Sequence, residues 1–250
     1  MPRPPYHPPF GLAMAKLHGL AMAKLHGQGM YPGGIYSAMA QFVTGDNVGS
    51  HVDALGHMAV DGLVHGGRPV GAQSSTGGLA VGSVTELPPL IGRGHLVDAE
   101  VLFGRELTPA DGLGPCELER WFTDRDEPGR GDVVLVRTGR MKKWPDYDDY
   151  LGLTTGLPGV TLEGAQWLSS RGILATGSDT MKHEHKPDVK GVSLCVQVHN
   201  LVESCIPVME SLDLEALAAA KAYDFLFLAL PLRLRGGTGS PLRPVAVVTR

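Results

Sequence analysis

Gly131-Asp132-Val133-Val134-Leu135-Val136-Arg137-Thr138-Gly139 is the stretch from which the fold reads outward. Its apolar run is continuous rather than alternating, so both faces of the strand it predicts must be covered. Downstream, TLEGAQWLSSRG (161–172) opens on a capping Thr and closes on Gly, which predicts a helix. ILATGSDT (173–180) predicts the next strand, and SLDLEALAAAKA (211–222) another helix. YDFLFLALPLRL (223–234) and PVAVV (244–248) predict closing strands, with Pro231 marking an edge or a bulge. Upstream, LAVGSV (79–84) and GHLVDAEVLF (94–103) predict strands. LTPADGLGPCELERWF (107–122) predicts a helix opening at its Thr-Pro-Ala-Asp. Strands outnumber helices and alternate with them irregularly. This excludes a regular doubly wound sheet and predicts a β-rich α/β domain with a few surface helices.

The 250 residues are 43% hydrophobic and 19% charged, with net charge −4. That composition suits one globular domain over 1–250. No basic patch offers a nucleic-acid surface. No apolar run approaches the roughly 20 residues of a membrane helix, so no membrane partner is expected. Three scattered cysteines, Cys116, Cys195 and Cys205, do not form a disulfide framework. A cytoplasmic protein with reduced thiols is the expectation. GLAMAKLH at 11–18 recurs at 19–26. Two copies do not make a solenoid, and the repeat reads as part of an N-terminal arm over 1–30.

The chemistry concentrates in Asp46-Asn47-Val48-Gly49-Ser50-His51-Val52-Asp53-Ala54-Leu55-Gly56-His57. On a strand, His51 and Asp53 point to one face, about 6.6 Å apart along the chain. Imidazole and carboxylate together suit Zn2+ or Mn2+. His57 follows a turn and can fold back as a third ligand or a base. A second pair, Gln197 and His199, follows VSLCV, an extended-looking run that would give both residues one face. Glu210 is placed at a strand end before a helix. Lys182-His183-Glu184-His185-Lys186 reads as a solvated loop, because its lysines would repel a cation.

GSHVDALGH (49–57) resembles the HxGTHxDxPxH signature of the cyclase family of metal-dependent hydrolases, which includes kynurenine formamidases and isatin hydrolases. GDVVLVRTG, LPGVTLEGAQWL, ILATGSDT, VQVHNLVESCIPVMESLDLEAL and FLFLALPLRLRGGTGSPLRPVAV resemble that family in its order. The resemblance implies a swivelling β/β/α domain and a homodimer or homotetramer. It implies one divalent ion, Mn2+ or Zn2+, held by His51, Asp53 and Gln197, with His57 and His199 catalytic and Glu210 a partner carboxylate. Asn47 stands where the signature has its first His, which weakens the case for a second ion. The implied activity is hydrolysis of an amide, lactam or lactone by metal-activated water, as in isatin hydrolase. A two-zinc arylformamidase acting on N-formylkynurenine, a natural-product cyclase and an inactive binding protein are the alternatives. A small-molecule substrate is expected, with Tyr31, Tyr36, Phe42, Trp144 and Tyr147 suggesting a flat aromatic one. Ser74, Ser75 and Thr76 read as a polar loop.

Overall fold

The structure is a computed structural model that describes residues 11–16, 30–31, 35–36, 39–70, 77–144, 146–186 and 194–248. Most of the tandem repeat, including His18 and His26, lies outside these residues, as do Ser74, Ser75 and Thr76 and the side chains of Tyr31 and Tyr36. The first copy departs from a plain loop: Gly11–Lys16 pairs antiparallel with Met39–Val43.

An open eight-stranded sheet dominates the fold. Its strands are β1 (His51–Asp53), β2 (Leu90–Asp98), β3 (Val133–Arg137), β4 (Ala175–Ser178), β5 (Val208–Glu210), β6 (Asp224–Ala229), β7 (Gly239–Pro241) and β8 (Val245–Val247). They lie in the order β7-β1-β5-β4-β3-β2-β6-β8. The inner four, β2 to β5, run parallel, and the flanking pairs are antiparallel. The fold is mixed α/β, rich in strands with a few short helices.

β3 is buried at every position, as its unbroken apolar run requires. Val134 and Val136 join Leu118, Trp121, Phe122 and Leu168 on one face. Val133 and Leu135 join Leu96, Met209, Phe225 and Phe227 on the other. Burial of each large side chain contributes roughly 1.5–3 kcal/mol, so this double-sided strand anchors both layers.

Helix Leu162–Ser170 forms as its sequence predicts, with the Thr161 side chain accepting from the Gly164 N–H. Other segments differ. Residues 79–84 form no strand; Glu86 accepts from the Gly82 N–H and tightens a turn there. Residues 94–103 divide, because Asp98 caps a short helix at Ala99–Phe103. The helix expected from Thr108 starts only at Pro115. Asp111 instead accepts from the Thr108 N–H and pairs with Arg105, closing a local turn. The helix expected over 211–222 is limited to Glu215–Ala219. β6 ends at Ala229, before Pro231, but it is an interior strand rather than an edge. Residues 195–203 are helical, not extended, passing from an α-turn into a π-turn. No helix among the described residues is long and apolar enough to cross a membrane.

Candidate metal centre

β1 is only three residues long and is held on both sides by antiparallel neighbours. Its register sets His51 opposite Glu210 on β5, and Asp53 opposite Gly239 on β7. Directly opposed residues of an antiparallel pair stand side by side. His51 Nε2 therefore lies 3.7 Å from Glu210 Oε2 and 3.5 Å from Asp53 Oδ1. The three side chains are buried, and their ligand-type atoms all fall within 4.8 Å of one another. The two-residue spacing of His51 and Asp53 accounts for two of these three side chains. Glu210 arrives through the register, a relationship across the sheet that local sequence does not carry.

Each member has its own support. Gly49, at φ 70°, turns the chain so that its carbonyl lies 2.7 Å from His51 Nδ1. That contact takes the Nδ1 hydrogen and leaves Nε2 facing the carboxylates. Asn47 Nδ2 donates to Asp53 Oδ1 at 2.5 Å, and Thr238 Oγ1 donates to Asn47 Oδ1 at 2.9 Å. Thr238 is in turn fixed by Asp46, whose Oδ2 accepts from its backbone N–H at 2.7 Å and shares its one hydroxyl hydrogen with Asn47. Gly239 makes room for this arrangement: a Cβ there would stand 2.5 Å from Asn47 Nδ2. Gln197, from the helical turn, donates through Nε2 to Glu210 Oε1 at 2.9 Å and reaches Asp53 Oδ2 at 3.5 Å.

The electrostatics are those of a buried acidic pair beside one imidazole. Burial and the neighbouring Asp53 charge push Glu210 up to about 8. Burial opposes ionisation of Asp53, yet His57, His51 and the Asn47 amide outweigh it and hold the carboxyl below its usual value. Burial works against a charged His51, but Asp53 and Glu210 raise it to about 9. Two buried carboxylates with one shared cationic partner form a set that a divalent ion would complete.

His57 ends the turn after β1, half-buried and near Asp53. His199 is not brought into the cluster. On a helix, residues two apart diverge, and its ring is engaged by Glu203 at 2.8 Å, Ser169 at 2.9 Å and Ser204 at 3.2 Å. The 183–185 segment is likewise not a solvated loop: His183 and Glu184 are fully buried. A cleft of about 580 Å3 is lined by Ser50, Ser211, Met141, Lys142, Trp144 and Glu215; Ser50 and Ser211 adjoin His51 and Glu210 in sequence, but the three cluster side chains are not part of its wall. Trp144 thus faces a cavity, whereas Phe42 is largely exposed and borders a separate hollow with Leu232 and Leu234. Tyr147 lies at the surface, 37% exposed.

Residues 4–185 match the model of the Cyclase family, described as "Putative cyclase". The isatin hydrolase of Roseibium aggregatum is 29% identical over 138 residues, covering 53% of this chain and 51% of that protein. The chain thus spans about half the length of this curated relative. A solved structure described as a novel cyclase superposes with TM-score 0.86 at 24% identity, over 98% of this chain and 81% of its own. An isatin hydrolase bound to the product analogue thioisatinate gives 0.70 at 21% identity, over 96% and 82%. Isatin hydrolase A from Ralstonia solanacearum gives 0.72 at 21% identity, over 95% and 81%. These structures share the fold. The family match extends over well more than half of the sequence, and the chain belongs to the Cyclase family.

Proposed function

We propose that this protein is a metal-dependent hydrolase that opens an amide, lactam or lactone, and that it binds one divalent ion per chain. The observation that carries the reading is the convergence of His51, Asp53 and Glu210, buried and within 4.8 Å. An imidazole, two carboxylates and no thiolate fit Mn2+ or Zn2+. Gln197 completes the set, since a half-turn of its amide exchanges donor for acceptor. When bound, such an ion acidifies water and polarises a carbonyl.

The chain's own residues supply the rest. His51 is held by the Gly49 carbonyl so that Nε2 serves as the ligating atom. Asn47 fixes Oδ1 of Asp53, while Oδ2 faces the Gln197 amide. An imidazole nitrogen of His57 takes the proton from the attacking water and returns it to the leaving nitrogen or oxygen. His199, engaged by Glu203 and two serines, has no part in this step. The similarity to isatin hydrolase supports a cyclic amide or ester as substrate, and Trp144 on the wall of the cleft supports a flat one.

Asn47 favours one ion over two. Its amide is committed to Asp53 and Thr238, so it offers no vacant ligand. A homodimer or homotetramer belongs to the same reading. Ile91, Leu226, Val245 and Val247, each about half exposed, line one face of β2, β6 and β8.

Elemental analysis together with a hydrolysis screen of formamides, lactams and lactones tests the proposal. One Mn2+ or Zn2+ per chain is expected, lost along with activity in His51→Ala and Asp53→Ala. Full metal content in both variants would overturn it.

A further inference from the structure

Lysines flank His183 and Glu184, yet both residues are fully buried. Main-chain bonds hold the segment against the short strand Gly159–Val160. The Val160 N–H donates to the His183 carbonyl at 3.2 Å, and the His185 N–H to the Val160 carbonyl at 2.8 Å. His185 Nε2 lies 2.9 Å from the Pro109 carbonyl. The segment is therefore a fixed support.

From this support two contacts run toward the metal centre. The backbone N–H of His183 donates to Glu210 Oε1 at 3.2 Å. Glu184 Oε2 accepts from the Val196 N–H at 3.3 Å, and the Gln197 N–H also bonds to this carboxyl. Val196 and Gln197 open the helical turn that carries the Gln197 amide to Glu210 and Asp53. The other oxygen of Glu184 has no partner among the described residues. Its hydrogen bonding is thus directed to that first turn.

We infer that Glu184 is a positioning residue for the metal centre: it sets the reach of Gln197, while the His183 main chain fixes Glu210 from the same support. This rests on the metal-site reading above. A side chain that orients a ligand from behind tunes affinity without touching the ion. Gln197 lies far along the chain from His51 and Asp53, so an error at this support would misplace it against them.

Two readouts test the inference. The first is the side-chain 15N amide signal of Gln197 in metal-free protein. The second is the affinity for Mn2+ and Zn2+ by titration calorimetry. Glu184→Ala is expected to shift the Gln197 signal and weaken metal binding on the order of 10-fold. Glu184→Gln, which keeps an acceptor oxygen, is expected to stay close to wild type in both. Glu184→Ala combined with Gln197→Ala is expected to bind no more weakly than Gln197→Ala alone, because one residue acts through the other. Should Glu184→Ala fail to fold, Glu184→Asp, one methylene shorter, is expected to show the same shift. An unmoved Gln197 signal, or fully additive losses, would overturn the inference. A wild type that binds no metal would instead overturn the metal-site reading, and the amide signal would still decide the role of Glu184.

Discussion

Glu210 faces His51 across the antiparallel β1–β5 pair, with Oε2 and Nε2 3.7 Å apart. The pairing joins two residues far apart in sequence into one candidate ligand set. If Glu210 is a ligand, Glu210→Gln should weaken metal binding by more than the roughly 10–100-fold typical of a residue that only supports a ligand. Calorimetric titration of metal-free protein measures this. Unchanged affinity would remove Glu210 from the site.

Asn47 holds Asp53 only while Thr238 fixes its amide and Gly239 leaves it space. Thr238→Val removes the hydroxyl and should cost about 1–3 kcal/mol in urea unfolding. Gly239→Ala should do more damage at the metal centre, since its Cβ would collide with Asn47 Nδ2 and the Val52 carbonyl. Loss of metal affinity in Gly239→Ala is expected; retention would show that Asn47 does not orient Asp53.

His183 carries a pH signature. Burial lowers its imidazole to about 4. The folded state keeps it neutral, while the unfolded chain takes up a proton below about 6.5. Stability is therefore intact above 6.5 and is lost as the pH falls toward 4, by roughly 3 kcal/mol. Asp179, raised to about 6 by burial, titrates with the opposite sign over much of that window. Comparison with His183→Gln isolates the histidine: the variant should lack this acid-side loss. Parallel stability curves from pH 7 to 4 would contradict the assignment.

Arg137 is buried among Asp98, Glu100 and Glu215, at 2.8–2.9 Å from each. Arg137→Met should cost on the order of 3–5 kcal/mol, because it leaves the buried Asp98 carboxylate without its cation. Adding Asp98→Asn should recover part of the loss, and urea midpoints of the single and double variants check this. A loss below 1 kcal/mol for the single variant would mean that water already reaches the cluster.

The strands with the plainest apolar patterns, β3 and β6, and the Thr161-capped helix were legible in the sequence. So was the His51–Asp53 pair, because a period of two is local. What escaped depends on long-range partners. VSLCVQVH looks extended, yet Glu184 caps its first turn and makes it helical, which removes His199 from the face of Gln197. Thr-Pro-Ala-Asp looks like a helix start, but Arg105 captures Asp111. His183 and Glu184 sit between lysines, and only the strand at Gly159–Val160 draws them inside. Glu210 could be placed at a strand end, but its position opposite His51 is a matter of register.

The three-residue β1 has a consequence for how the molecule comes into being. Both strands that flank it, β5 and β7, belong to the last part of the chain. The Asp46–Thr238 contact closes a separation of 192 residues. Contacts of such span form late, after local elements have condensed. During synthesis, His51 and Asp53 emerge before β5, and their second flanking strand forms only once the GGTGS turn at 236–240 has left the ribosome. Alignment of Asp53 then depends on the chain through residue 240, and a nascent chain stopped short of Thr238 would carry His51 and Asp53 without the lock that aligns them.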